Sequence, residues 1–471
     1  MGPQHQPPAP PRLGLWDTIS IIVGIIVGVG IYKTPATVFA WADTPAQALG
    51  VWALGGFLAL LGALCFAELA SAYPRSGGEY VYLTRAYGSP VGFLFAWAQF
   101  AVIRPGGGIA MPAYILGEEA EKLWGLARTE AMLLAALAIA VLTAINILGA
   151  NPGRRTQNLF TVAKVVSLAA IIVTGLFFVR PRPLPVSNPA PSGATFVVVM
   201  MGVLYAFDGW NEAACVSAEV HKPRRNLPRA LLLGVAGITV LYLLINLAYL
   251  VGLGFATVHA EAVGPHDILE QALGATAGRA MSALIIVSVL GALTGMIFTG
   301  SRLFSEVGAD HRLFALLARW DPQLQTPVWS LLIQGSISIA MLLSVGLLWQ
   351  NKDGFETLLN GTSPALWLCF FLTGLSVILL RKREPEAERP FRVKLHPLVP
   401  LLFCSWCLFM LYGTIHDAPK QALVGVALVL AGLPLYAFSR WLERRRSPVD
   451  WPPPCDSLVG STADHPGDAT P

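Results

Sequence analysis

The sequence predicts an all-α integral membrane protein of about twelve transmembrane helices. Three observations predict it: too few charges for an aqueous surface, a series of apolar runs of spanning length, and a one-sided distribution of basic residues. Charged side chains make up 13% of the 471 residues and hydrophobic ones 55%, against about 25% charged in soluble domains. A chain this long with so few charges cannot clothe itself in water, so lipid is its solvent.

A spanning helix needs ~20 mostly apolar residues. Such runs lie at 15–42, 46–73, 91–117, 131–149, 158–179, 194–218, 230–256, 280–303, 327–349, 357–380, 398–415 and 421–441, and we number them helices 1 to 12. Most are apolar on all sides, as helices packed in a bundle or against lipid are. The first run is too long for a signal-peptide core and has no small-residue cleavage site, so it reads as a span. Residues 1–12 form a Pro-rich cytoplasmic arm and 447–471 a tail rich in Pro, Asp, Ser and Gly; both are expected to be disordered. The membrane body runs over 13–440.

The basic residues set the orientation, because Lys and Arg collect in cytoplasmic connections. With the N-terminus inside, twenty-two of the 32 Lys and Arg fall on the inner side and seven on the outer. The remaining three, Lys33, Arg104 and Lys164, fall within helices. Both termini are therefore expected in the cytoplasm, with an even number of spans. The net charge of +4 follows from this topology; a nucleic-acid partner would need a basic soluble face, which the sequence lacks.

Six cysteines stand at 65, 215, 369, 404, 407 and 455. Cys404 and Cys407 have CxxC spacing, but no second Cys/His pair follows to complete a tetrahedral metal site. They read as small buried hydrophobes, and no metal or cofactor is expected.

Two helices carry breaks. In helix 1, Gly28 and Gly30 flank Val29 in mid-membrane, and Pro35 follows. Each Gly costs about 1 kcal/mol of helix propensity, and Pro lacks an N–H. Unwound backbone in a membrane is tolerated only against protein or a wet cavity. The N–H groups it frees, at the start of the outer half-helix, suit an anion. Taken alone, the Gly-x-Gly could equally be a close helix contact through small residues. In helix 6, Tyr205-Ala206-Phe207-Asp208-Gly209-Trp210-Asn211-Glu212 places two ionisable groups in an apolar run, which costs several kcal/mol unless they face a cavity or a partner. The breaks lie about 180 residues apart, which fits a five-plus-five inverted repeat (about 15–179 and 194–380, with helices 11 and 12 added over 398–441). Interrupted helices at matching positions mark a midplane site for a solute.

At these residues the sequence resembles the amino acid–polyamine–organocation (APC) superfamily, and more closely the bacterial relatives of the L-type amino-acid transporters. Gly28-Val29-Gly30-Ile31-Tyr32 is similar to the family's helix 1 break. Glu68-Leu69 with Pro74-Arg75-Ser76-Gly77-Gly78-Glu79-Tyr80 resembles its helix 2 exit, and Phe298-Thr299-Gly300-Ser301-Arg302 its helix 8 exit. Tyr205 to Asn211, followed by Glu219 and by Lys222 to Ala230, resembles its most specific signature.

The resemblance implies a LeuT-like fold and a secondary transporter of amino acids, a permease or exchanger. It implies that backbone N–H groups around Gly28, Val29 and Gly30 bind the substrate carboxylate. Carbonyls near Ile26, Tyr205, Ala206 and Asp208 take its ammonium, Phe207 lies in the same break, and the aromatic at 205 closes over the substrate as an outer gate. Lys164 in helix 5 stands where sodium-coupled members hold an ion, which implies sodium-independent transport. The alternative for Lys164 is a side chain snorkelling to the cytoplasmic interface. Asp208 either adds negative charge near the substrate amine, or caps the broken helix or pairs with a basic group. Arg104 is expected to have a structural partner. Lys33 and Glu118 to Glu121 are expected to face the outer vestibule or water, and Lys222 to Arg229 to form either a gating loop or a solvated one. Eukaryotic members join a single-span glycoprotein through a Cys after helix 3; residues 117–130 contain no Cys, so no disulfide-linked heavy subunit is expected.

Other classes fit less well. An enzyme would need HExxH, paired His at helical spacing or GxSxG, none of which is present. A proton symporter of amino acids or polyamines, and a membrane amino-acid receptor on the same scaffold, remain alternatives.

Overall fold

The computed structural model describes residues 13–181, 195–260, 264–348 and 354–444. The N-terminal arm 1–12 and the tail 447–471, with Cys455, lie outside the described residues. Nine helices among those described are long and apolar enough to cross a membrane. They are Pro45–Ala72, Arg128–Ile147, Arg155–Phe178, Pro223–Leu253, Ala275–Asp310, Val328–Leu347, Gly354–Arg383, Leu398–Asp417 and Pro419–Leu442. They correspond to helices 2, 4, 5 and 7 to 12.

The other three expected spans are interrupted helices. Helix 1 is Leu15–Ile26 plus Gly30–Trp41, bent by 48° at the join. Helix 3 runs through Ser89–Ala98, a wide-turned π-helical stretch Gln99–Ala110, and Met111–Trp124. Helix 6 is Phe196–Phe207 followed by a tight 3₁₀ segment, Trp210–Glu219. Local sequence accounts for several ends. Thr44 accepts a hydrogen bond from the Gln47 amide, with Pro45 at the first helical position, as N-caps require. Gly125, at φ +66°, closes helix 3.

The structure adjusts some expectations about charged residues. The sequence treats the inner basic residues as solvated loop charges, but several are built into the bundle end. Arg302 lies inside helix 8, buried, and bonds Glu219 at 2.9 Å. Arg381 of helix 10 grips Glu68 of helix 2 through Nε at 2.6 Å. Arg75 reaches Glu306 at 3.0 Å and Asp310 at 3.5 Å. Glu68 and Glu219 are buried, so their arginines stay as partners rather than in water, while the Arg75–Glu306 pair is half-buried. On the outer side, Glu119 is buried rather than facing water, and bonds His266 and Lys122. The run Lys222 to Arg229 is mostly the exposed first turns of helix 7, which begins at Pro223.

Candidate functional site

The two breaks meet. A Cβ placed on Gly30 would lie 2.4 Å from Ala206 Cα, so only glycine lets the outer half of helix 1 rest on the broken part of helix 6. Gly209 is fixed twice: its φ of +104° is a left-handed conformation that favours glycine, and an added Cβ would lie 2.4 Å from Ile25 Cγ2. Gly28 differs. Its nearest neighbours would stand at ordinary contact distance from a Cβ, so no neighbour demands glycine there.

Helix 1 stops at Ile26, and the Gly28 amide turns back onto the Ile26 carbonyl at 2.7 Å. The amides of Val29, Gly30 and Ile31 open the outer half-helix, and none has a hydrogen-bond acceptor among the described residues. These are the orphan donors of a helix start. Helix 6 stops at Phe207, with Asp208 extended and its amide bonded to the Tyr205 carbonyl at 3.1 Å.

Tyr242 of helix 7 joins the breaks. Its buried hydroxyl lies 3.0 Å from the Ile26 carbonyl and 2.9 Å from the Ala206 carbonyl. One hydroxyl proton serves one of these acceptors at a time. The Val27 carbonyl accepts from Ser288 at 3.3 Å. Sequence reasoning missed Tyr242, though a hydroxyl in the apolar run 230–256 was a signal, since a buried tyrosine usually finds a partner.

The charged groups sort into pairs and one exception. Arg104, in the wide-turned stretch of helix 3, lies 2.9 Å from Glu212, with its other Nη on Thr299 at 3.1 Å and the Met296 carbonyl at 3.2 Å. Thr299 also donates to Glu212 at 2.5 Å. The structural partner expected for Arg104 is thus Glu212. Glu79 accepts from Asn211 at 3.1 Å and from Thr373 at 3.4 Å. Among the described residues no side chain donates to Asp208, so it pairs with no basic group; its backbone forms the C-cap of the outer half of helix 6.

Lys164 is fully buried and donates to the Gly24 carbonyl at 2.5 Å, so it does not snorkel to the interface. Gly291 of helix 8 makes room for it: a Cβ there would stand 2.7 Å from Lys164 Cε.

Outward of the breaks, the Tyr205 ring packs edge-on against Phe355 at 5.5 Å between centroids. Lys33 sits 4.6 Å over the Phe355 ring and 3.5 Å from Glu118. Helices 1, 3, 6 and 10 are thereby linked above the site. Phe355 had no sequence signal beyond being one more apolar residue.

A partly open cavity lies beside the breaks, walled by helices 2, 3, 6, 8, 10 and 11. Tyr205, Phe207 and Asp208 line it, but no residue from 26–30 does. It is therefore a side chamber of the site, and the helix 1 amides lie outside it.

A broken helix 1 resting on a broken helix 6, with a buried lysine from helix 5 beside the first, is the arrangement the sequence resemblance implied. The sequence profile described as amino acid permease matches residues 13–436. The chain belongs to the amino acid permease family. The b(0,+)-type amino acid transporter 1 of Mus musculus is 31% identical over 461 residues, covering 93% of this chain and 91% of its own. The serine/threonine exchanger SteT of Bacillus subtilis is 30% identical over 430 residues, covering 90% of this chain and 96% of its own. The Asc-type amino acid transporter 1 of Mus musculus is 30% identical over 447 residues, covering 90% and 80%. The relatives are transporters, so this permease is a multi-pass amino acid permease or exchanger.

Proposed function

We propose that this permease exchanges amino acids without sodium, holding the substrate at the two breaks. The observation that carries the reading is the seat of Gly30 on Ala206, which makes one polar patch from two interrupted helices. The amides of Val29 and Gly30 take the carboxylate, with Gly28 giving the turn. The carbonyls of Tyr205, Ala206 and Ile26 take the ammonium, in competition with the Tyr242 hydroxyl, and Phe207 and Asp208 flank them. Tyr205 on Phe355 acts as the outer gate. The ammonium of Lys164 on the Gly24 carbonyl supplies the fixed cation that removes the need for sodium.

The fixed charge around the site favours a positive substrate side chain. Three carboxylates, Asp208, Glu212 and Glu79, surround one guanidinium, Arg104, and only Asp208 lacks a side-chain partner. Burying carboxylates in excess is costly unless a cation joins them. Cationic or broad amino acids are therefore the favoured substrates. A serine/threonine exchanger among the relatives supports exchange as the transport mode.

The two five-helix repeats, 15–179 and 194–380, alternate access around the breaks, in a cell membrane with both termini cytoplasmic. The absence of Cys over 117–130 supports function without a disulfide-linked heavy subunit. The test is trans-stimulated uptake in proteoliposomes of a panel of amino acids, with and without sodium and a pH gradient. Exchange unaffected by sodium supports the reading; uptake that requires a sodium gradient refutes the role of Lys164, and uptake driven by the pH gradient alone favours proton symport.

A further inference from the structure

The side chamber differs chemically from the patch at the breaks. Its charged groups are Asp208, Arg104 and Glu212. The last two are committed to each other and to Thr299, which leaves Asp208 as its one anion without a side-chain partner. Aromatic rings also line it: Trp210 stacks on Phe370 with centroids 5.7 Å apart, and Trp367 meets Phe370 at 6.0 Å. Four polar atoms of lining residues are buried without a hydrogen-bond partner among the described residues: Asn211 Oδ1, Trp367 Nε1, Trp406 Nε1 and Arg104 Nε. Such orphans are uncommon in folded proteins and call for an explanation.

A carboxylate, an orphan amide oxygen and an aromatic wall suit a cation with an apolar body. Ammonium groups bond carboxylates strongly and are attracted to the faces of indole rings. The chamber offers nothing comparable to a carboxylate. The helix 1 amides lie outside it, and both Nη atoms of its guanidinium are held, by Glu212 on one side and by Thr299 and the Met296 carbonyl on the other. A zwitterion lying wholly in the chamber would set its own carboxylate among Asp208 and Glu212.

We propose that the chamber binds arylalkylamines, which carry an ammonium and an aromatic ring but no carboxylate. The ammonium meets Asp208 and Asn211 Oδ1. The ring lies among Trp210, Trp367 and Phe370, and a ring hydroxyl accepts from the Trp367 or Trp406 indole N–H. This rests on the reading of Asp208 as facing the solute, but not on the amides of helix 1 binding a carboxylate.

The test uses the purified full chain in proteoliposomes and in detergent. Phenethylamine and tyramine are compared with phenylpropionate, which has the ring and a carboxylate but no amine. Binding is read by thermal shift and by competition with labelled amino-acid counterflow. The expected result is that both amines bind and compete while phenylpropionate does neither. Asp208→Asn weakens the amines tenfold or more, and Trp367→Phe weakens tyramine more than phenethylamine. The comparison of amine with acid on the unaltered protein holds even if a variant fails to fold. Amino-acid counterflow that proceeds with no effect of either amine overturns the proposal while leaving the exchanger intact. Equal binding of phenylpropionate overturns it as well. Loss of amino-acid counterflow itself, with amines still binding, strikes the exchanger reading alone.

Discussion

Asp208 and its neighbours carry the most at the scale of single residues. A charge-assisted hydrogen bond contributes about 1.5–3 kcal/mol, and 1.4 kcal/mol is a factor of ten. Asp208→Gly should therefore lower uptake of lysine and arginine relative to leucine and serine by about tenfold. An unchanged ratio removes Asp208 from selectivity. The two glycines of helix 1 look alike in the sequence but differ in surroundings. Gly30→Ala drives a methyl into the Ala206 backbone and should abolish transport, whereas Gly28→Ala meets only ordinary contacts and should keep most of it. Equal loss in both would mean that backbone freedom, rather than contact between the breaks, is what the site needs. Tyr242→Phe leaves the Ile26 and Ala206 carbonyls without their hydroxyl donor. An unsatisfied buried group costs about 1–3 kcal/mol, a cost the substrate ammonium relieves when it takes these carbonyls, so KM should fall by about tenfold with normal expression; an unchanged KM would show that the hydroxyl does not compete with substrate.

Among the elements, helix 3 is the one whose form the sequence least suggested. Its apolar run reads as one span, yet Gln99–Ala110 forms wide turns, such as often occur at functional sites. Arg104-Pro105-Gly106-Gly107-Gly108 sits in this stretch, and the guanidinium from it locks Glu212 behind the break of helix 6. Removing one partner of a buried ion pair costs ~3–5 kcal/mol, while replacing both with apolar residues is often neutral. Arg104→Met and Glu212→Leu should each lower the thermal transition of the detergent-solubilised protein. The double variant should recover most of that loss; a double variant as unstable as the sum of the singles would show that the two do not act as a pair.

The same contrast shows what could be read from the chain alone. The breaks of helices 1 and 6 were legible because Gly in mid-span, and Asp beside Gly, are expensive in a membrane and have few explanations. The need of Arg104 for a partner was legible for the same reason. Which partner it finds was not, because Glu212 is over a hundred residues away and only packing joins them. Tyr242, Phe355 and the burial of Lys164 depend likewise on neighbouring helices. The ion pairs of Arg302 and Arg381 were read as loop charge because Arg302 stands at the very end of the stretch 280–303 and Arg381 just beyond 357–380, whereas helices 8 and 10 run on to Asp310 and Arg383.

Across the whole molecule, sequence and structure converge on a bundle in which most helices are apolar and the polar groups concentrate at two breaks and at the bundle end. The family assignment makes the chain an amino acid permease; the added claim is that it works as a sodium-independent exchanger whose site is the contact of the two breaks. Counterflow tests this most directly. Proteoliposomes preloaded with unlabelled amino acid are diluted into labelled amino acid in sodium-free buffer, with the unaltered chain and with Gly30→Ala. The expected result is transient accumulation of label by the unaltered chain and none by the variant. Accumulation that appears only with sodium, or that survives Gly30→Ala undiminished, would contradict the account.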